Sequence, residues 1–239
     1  MVKTTKDGSP TLFSERYQQT YHSIHGSLTE SNHIFLSETG VKDRLQAGSP
    51  TNILEVGLGT GLNFLLTAQV ALASHASLEY WAFEHTIISK ATFLALGLEK
   101  FIDNHTLLDR FADTLESLST APPLKTYSLT LFEGVHLHVL KGDATEMPVP
   151  NIQFDAVYQD AFSPDVNPEL WSTVFFQRIY DTMHSNGRLT TFSVRRLVRD
   201  NLAAVGFIVH KRPGPAGGKR EMLLAIKPEH EQSIQKQSH

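Results

Sequence analysis

Beyond about residue 50, apolar positions fall into two alternating patterns: short continuous runs, and longer stretches with helical spacing. Asn52-Ile53-Leu54-Glu55-Val56 reads as a buried strand, with a helix predicted from about Leu62 to Ser74. Leu78 to Phe83 is a second strand, followed by a helix from about Thr86 to Ala95. Residues 102 to 118 also carry helical spacing, which Pro122-Pro123 stops. Tyr127 to Phe132 and Val135 to Leu140 flank Glu133-Gly134, an acid-glycine pair suited to a tight hairpin. Phe154 to Tyr158 is another buried strand, and Pro168 to Met183 a helix with proline near its start. Asn186-Gly187 ends that helix before a strand from Arg188 to Phe192. A helix from about Val194 to Ala204 is closed by Gly206, before strands at Phe207 to Val209 and Met222 to Ile226. Strands that alternate with helices predict a mainly parallel sheet covered on both faces. The last two strands are joined by a Gly/Pro loop with no helix, so they are expected to pair antiparallel.

The first fifty residues are polar and punctuated by Gly8, Pro10, Gly26, Gly40, Gly48 and Pro50, yet they carry Phe13, Tyr17, Tyr21 and Phe35. That mixture predicts a partly helical arm or cap packed on the main body, with His33 to Leu36 as a short strand. The expected organisation is an N-terminal extension over 1–50, one domain over 51–228 and a frayed tail over 229–239. A length of 239 residues and a hydrophobic fraction of 41% suit one large α/β domain with small additions. No apolar run approaches a membrane span, and the opening residues lack the apolar stretch of a signal peptide. The absence of cysteine excludes disulfides, zinc–cysteine sites and a thiol nucleophile, and fits a reduced cytoplasm.

A net charge of -4 speaks against a nucleic-acid partner until the distribution is considered. Between Arg188 and Arg220 stand Arg188, Arg195, Arg196, Arg199, Lys211, Arg212, Lys219 and Arg220, against the single acid Asp200. This basic edge on an acidic body is either a polyanion footprint or a solvated face.

The sharpest local chemistry lies in Glu55-Val56-Gly57-Leu58-Gly59-Thr60-Gly61-Leu62-Asn63. A strand that runs through closely spaced glycines into a helix lets backbone approach a ligand without Cβ clashes. With the acidic Glu55 ahead of the glycines, the pattern suits the methionine part of S-adenosylmethionine, whose ammonium needs acceptors. A dinucleotide site and an ordinary tight turn remain alternatives at this point. Glu84 ends the second strand, where an acid accepts hydrogen bonds from ribose hydroxyls or caps the following helix. Asp143, on the Gly142-Asp143 turn, is placed to accept from an adenine amino group, although Gly-Asp is also common turn chemistry. Glu55, Gly57, Gly59, Gly61, Asn63, Glu84 and Asp143 are therefore the candidate cofactor-binding residues. They sit around the ends of successive strands, where open α/β sheets bind ligands.

The next strand runs into Gln159-Asp160-Ala161-Phe162-Ser163-Pro164. Transfer of a methyl group to an amine needs little acid or base strength, because a sulfonium is already an activated donor. The amine must be neutral and aimed in line. A carboxylate such as Asp160 is suited to hold its N–H bonds and take up the released proton, and Phe162 to wall the acceptor. The close histidine pairs, His22 with His25 and His136 with His138, lack a third partner at ligand spacing, so no metal site is expected. No serine nucleophile elbow or phosphate-binding Gly-Lys-Ser/Thr loop is present.

Asp160-Ala161-Phe162-Ser163-Pro164 followed by Asn167-Pro168-Glu169-Leu170-Trp171 resembles the methyltransferase part of the bifunctional tRNA 5-methylaminomethyl-2-thiouridine biosynthesis protein family. The likeness extends to Asp7-Gly8-Ser9-Pro10, to Glu55 through Leu65, to Lys211-Arg212-Pro213-Gly214 and to Lys219 through Leu223. The resemblance implies a class I, Rossmann-like methyltransferase with a mostly parallel seven-stranded sheet. It implies S-adenosyl-L-methionine as cofactor and methylation of the 5-aminomethyl nitrogen of the wobble uridine, in the cytoplasm. In those terms Gly57, Gly59 and Glu84 belong to the cofactor pocket and Asp160 stands beside the acceptor. Arg195, Arg196, Lys219 and Arg220 would meet tRNA phosphates near the anticodon. Nothing in the chain resembles the family's FAD-dependent half, so no flavin chemistry is expected. The loop from Pro213 to Gly218 departs from the family's shorter, aromatic-bearing turn. A small-molecule amine methyltransferase and a non-catalytic RNA-binding module are the rival readings.

Overall fold

Short antiparallel strands open the chain: β1 (Val2–Thr4), β2 (Pro10–Ser14) and β3 (Gln19–Thr20) form a three-stranded sheet. The computed structural model describes residues 1–218 and 220–229; Lys219 and residues 230–239 lie outside the described residues. Helix α1 (Ser27–Glu30) runs directly into a π-helical stretch, Ser31–Ser37, and is followed by α2 (Val41–Gln46). The strand expected at His33 to Leu36 is thus helical. Ile34, Phe35 and Leu36 are buried consecutively, which reads as a strand in a short window, but here they pack as part of a helical layer. These residues, with Val41 and Leu45, share one apolar core with Ile53, Phe64 and Tyr80 of the main body.

The central sheet is built from β4 (Thr51–Val56), β5 (Leu78–Glu84), β6 (Lys125–Phe132), β7 (Val135–Lys141), β8 (Phe154–Gln159), β9 (Met183–Thr191), β10 (Ile208–Pro213) and β11 (Glu221–Ile226). Its order is β10-β11-β9-β8-β4-β5-β7-β6. The pairs β4/β5, β4/β8, β5/β7 and β8/β9 are parallel, whereas β6/β7, β9/β11 and β10/β11 are antiparallel. The sheet has eight strands, where the family resemblance implied seven and the apolar pattern marked eight. The additional one is the edge strand β6, which a two-residue turn at Glu133-Gly134, with Gly134 at φ 76°, folds back onto β7.

Helices α3 (Leu62–Ala73), α4 (Lys90–Leu94), α5 (His105–Ser119), α6 (Thr173–Asp181) and α7 (Arg196–Ala204) supply the covering layers. In α5 the buried Leu107, Leu108, Phe111, Leu115 and Leu118 form one stripe, and the Asn104 side chain accepts from the Leu107 N–H to start the helix. The helix expected from Pro168 to Met183 is divided. A 3-10 turn at Pro168–Trp171 precedes α6, and the Ser172 hydroxyl accepts from the Phe175 N–H to begin the new helix. Strand β9 starts at Met183, earlier than expected, through an irregular register against β8 with Asn186 at φ 63°. The helix expected to begin near Thr86 is reduced to α4, started by Ser89. Chain order runs outward from β4 through β5 and β7, then returns to β8 and runs the other way. The carboxyl ends of β4 and β8 therefore form the switch point at which doubly wound sheets open a crevice.

Candidate active site at the strand switch point

Two cavities open at this crevice and meet at one wall. The first, about 300 Å³, lies over the ends of β4, β5 and β7 and is lined by Gly57, Gly59, Glu84, His85, Gly142, Asp143 and Leu170, among others. The second, about 420 Å³, lies between the N-terminal segment and the end of β8. Tyr21, Asp160, Ala161 and Phe162 line both. Volumes of this order match small-molecule sites, which span roughly 300–1,000 Å³.

The glycine turn is held by strand geometry and by Glu84. The Gly57 and Leu58 N–H groups donate to the Phe83 carbonyl at 3.0 and 3.2 Å, and the Gly59 N–H donates to the Glu84 carboxylate at 2.8 Å. Gly57 has φ 95°, and a Cβ there would stand 3.0 Å from the Asp160 carbonyl oxygen; at Gly59, with φ 56°, it would meet the Tyr21 ring at 2.9 Å. Both positions need glycine, because the backbone is left-handed and its neighbours are close. The second Glu84 oxygen accepts from the Thr86 N–H at 2.8 Å. Loss of water raises the Glu84 carboxyl, and the backbone N–H groups of Thr86 and Gly59 pull it back in part. Asp143 is held below the usual carboxylate range, chiefly by the Thr145 hydroxyl, which donates to it at 2.7 Å. Its loop is clamped by Arg178, whose guanidinium donates to the Ala144 and Thr145 carbonyls at 3.1 and 2.8 Å.

Glu55, Gly61 and Asn63 do not line either cavity; they stand one layer behind the wall. Gly61 starts α3 with φ 79°, and a Cβ there would collide with Phe111 at 2.2 Å. Asn63 Nδ2 donates to Glu55 Oε1 at 2.7 Å and to Asp160 Oδ2 at 2.8 Å, so one amide bridges two carboxylates. Glu55 is completely buried, and its second oxygen accepts from the Tyr80 hydroxyl at 2.9 Å. Burial, then the charge of Asp160, push the Glu55 carboxyl well above the usual range despite those two donors. The expectation that Glu55 faces a ligand's ammonium is therefore corrected: β4 turns this side chain into the core. Its contact with the site runs through Asn63.

Phe162 packs against Tyr17, with ring centroids 4.3 Å apart and planes tilted by 30°, and meets Tyr21 edge-on at 5.1 Å. The Trp171 indole N–H donates to the Phe162 carbonyl at 2.9 Å. Gln19 Nε2 donates to the Ser163 hydroxyl at 2.8 Å. Residues Arg16 to Tyr21 thus form a roof over the switch point, and Arg16, Tyr17 and Tyr21 are site residues that the glycine and acid motifs do not announce. Their one sequence signal is aromatic spacing in a polar segment. Burial and the Glu84 charge push the Tyr21 phenol up to about 12.

The basic edge is less free than its sequence count suggests. Arg195 pairs with both oxygens of Asp165, Arg196 and Arg199 both reach Asp200, Lys211 reaches Glu221 at 3.0 Å, and Arg212 reaches Glu38 at 3.1 Å. Asp165 and Glu38 come from distant sequence and neutralise part of the edge, while Arg220 is exposed. His136 and His138 both face Glu79 on the neighbouring strand; His138 lies 2.7 Å from it and stacks on Trp81. Among the described residues no helix is long and apolar enough to cross a membrane.

The fold agrees with comparisons to known proteins. The profile of a family described as S-adenosyl-L-methionine-dependent methyltransferase matches residues 108–228. The tRNA 5-methylaminomethyl-2-thiouridine biosynthesis bifunctional protein MnmC of Ralstonia nicotianae is 33% identical over 226 residues, covering 94% of this chain and 34% of that protein. Its namesake from Cupriavidus metallidurans is 33% identical over 92% of this chain and 33% of its own length. The chain thus spans about a third of the length of these curated relatives. The crystal structure of MNMC2 from Aquifex aeolicus superposes with a TM-score of 0.73 at 27% identity, covering 96% of this chain and 72% of that one. With a matching profile, relatives along nearly its whole length and a shared fold, the chain belongs to the S-adenosyl-L-methionine-dependent methyltransferase family.

Proposed function

We propose that the protein methylates the 5-aminomethyl nitrogen of wobble uridine, with or without a 2-thio group, in the anticodon region of tRNA, in the cytoplasm. The observation that carries the reading is the pair of cavities that share Asp160, Ala161 and Phe162 as a common wall. A donor in the first cavity and an acceptor in the second face each other across a single carboxylate. The names of the relatives supply the nature of the acceptor.

The first cavity fits S-adenosylmethionine by its donor and acceptor set. Gly57 and Gly59 leave room for close approach, the Glu84 carboxylate suits a ribose diol, and Asp143 suits an adenine amino group. When bound, the cofactor supplies an activated methyl group that needs no further acid catalysis. Asp160 accepts hydrogen bonds from the acceptor amine, aims its lone pair and takes up the proton that the nitrogen releases. Asn63 fixes that carboxylate in place, and the Tyr17–Phe162–Tyr21 aromatic cluster excludes water and walls the acceptor. Arg195, Arg196 and Arg220 are the described candidates for phosphate contacts; the expected contact at Lys219 lies outside the described residues.

The test is transfer of labelled methyl from S-adenosylmethionine to tRNA carrying 5-aminomethyluridine, with unmodified tRNA as control. Label at the wobble nucleoside of the modified tRNA alone is expected. Absence of transfer to either RNA, with cofactor binding intact, would reject the tRNA substrate and point to another amine.

A further inference from the structure

We infer that His22 is a specificity-determining residue of the second cavity, donating a hydrogen bond from Nε2 to the 4-carbonyl oxygen of the acceptor pyrimidine. The inference rests on the reading that this cavity takes the methyl acceptor.

His22 follows β3 and lines the second cavity but not the first. Two consecutive bonds fasten its backbone to β2. The Tyr21 N–H donates to the Leu12 carbonyl at 2.9 Å, and the His22 N–H donates to the Thr11 hydroxyl oxygen at 3.0 Å. The imidazole Nδ1 lies 3.3 Å from that same oxygen. Thr11 is fully buried, and among the described residues its hydroxyl hydrogen has no acceptor other than Nδ1. A buried hydroxyl left without an acceptor is costly, so Thr11 donates to Nδ1 and the ring hydrogen stands on Nε2. Burial pushes the imidazole down to about 4, so near pH 7 it is neutral and carries that one hydrogen. Among the described residues nothing bonds Nε2, and His22 keeps part of its surface open.

A neutral ring with a fixed hydrogen presents one oriented donor to the cavity. Gln19, also in the lining, is already committed, since both ends of its amide bond to Ser163. The flat faces of Tyr21, Phe35 and Phe162 suit a planar base. On a pyrimidine with an aminomethyl group at carbon 5, the 4-carbonyl stands on the adjacent carbon. It therefore enters beside the amine that Asp160 holds, whereas the 2-carbonyl lies across the ring. Uracil offers an oxygen acceptor at position 4; cytosine offers an amino group there, which would meet the Nε2 hydrogen with its own. A site with such a donor rejects the ring that leaves it unpaired.

The experiment compares labelled-methyl transfer from S-adenosylmethionine to anticodon stem-loop RNAs bearing 5-aminomethyluridine or 5-aminomethylcytidine. The wild-type protein is expected to prefer the uridine in kcat/KM by about thirtyfold or more. His22→Phe, which keeps a ring but has no donor, is expected to shrink that preference to within about threefold while S-adenosylhomocysteine affinity stays constant. His22→Gln restores a donor and is expected to recover most of the preference. Exchange of the 2-oxygen for sulfur is expected to act equally on wild type and His22→Phe, because it changes the far side of the ring. Equal wild-type transfer to the two RNAs, full preference in His22→Phe, or a 2-thio effect that vanishes with His22 each overturns the inference. Nitrogen-15 spectra of histidine-labelled wild-type protein decide the matter even if no His22 variant folds. The ring hydrogen is expected on Nε2 at pH 7, with its signal moving when the aminomethyluridine stem-loop binds beside S-adenosylhomocysteine. A hydrogen on Nδ1, or an unmoved signal, contradicts the inference. Transfer without uridine preference removes the role of His22 but leaves the proposed function standing, whereas no transfer to either RNA removes both.

Discussion

At the scale of single residues, the site depends on how two carboxylates are kept close together. Glu55 and Asp160 repel each other, and the amide of Asn63 offsets that repulsion by donating to both. Because the Glu55 carboxyl is raised in the folded state, the native protein holds a proton that the unfolded chain has released. The contribution of Glu55 to stability should therefore be fully present below the ordinary carboxylate value of 4.5 and decline as pH rises from there toward the raised folded value. Glu55→Gln removes this titration. Denaturant midpoints measured between about pH 5 and pH 8 should fall more steeply for the wild type than for the variant. Parallel slopes would show that Glu55 is ionised throughout and held by its donors alone. This coupling was not legible in the sequence. The acid-then-glycine pattern names Glu55 but not the side to which β4 turns it, and buried strands give no in-out alternation from which to read that.

At the scale of elements, the roof over the switch point depends on one motif that local chemistry could not assign. The Asp7 carboxylate accepts from the hydroxyls of Thr5, Ser9 and Thr29 and from the N–H groups of Ser9 and Thr29. It thereby ties the first strands to α1. Burial alone would raise this carboxyl, but the hydrogen bonds from Ser9, Thr5 and Thr29 outweigh it and hold it well below the usual range. The tie is thus present above about pH 4 and is lost on acidification below that. Asp7 is largely exposed, so Asp7→Ala should cost only about 1–2 kcal/mol, concentrated in the first twenty or so residues. Trypsin should then cut after Arg16 several times faster at neutral pH, with the remainder of the chain as resistant as before. An unchanged cleavage rate would mean that the Tyr17–Phe162 ring contact holds the roof without Asp7. The alternation of strands and helices was readable beyond residue 50 because each element there carries its own period. Before residue 50 the period failed: Ile34-Phe35-Leu36 is an apolar triplet, and only packing against α3 and β9 decides that it is helical.

At the scale of the whole molecule, the parallel sheet brings together residues that are far apart in sequence. Gly59, in the turn after β4, meets Glu84 at the end of β5, while Asn63, in the first turn of α3, meets Asp160 just past the end of β8. The glycine turn, Glu84, Asp143 and Asp160 could be read in advance because residues at the carboxyl ends of parallel strands share one crevice whatever their separation. The roof residues Tyr17 and Tyr21 could not, because they reach the crevice from the N-terminal segment around a small sheet that no periodic rule places. The same limit applies to the basic edge, where Asp165 and Glu38 pair with arginines distant in the chain.

Asp160 stands between the proposed donor cavity and the proposed acceptor cavity, and is expected to contribute little to cofactor binding. The most direct measurement is a single-turnover methyl-transfer rate for Asp160→Ala set beside its S-adenosylhomocysteine dissociation constant. Transfer is predicted to fall by about a thousandfold or more, while the dissociation constant stays within about tenfold, or ~1.4 kcal/mol. If affinity falls as far as transfer, or if transfer survives, Asp160 does not hold the acceptor and the assignment of the two cavities is wrong.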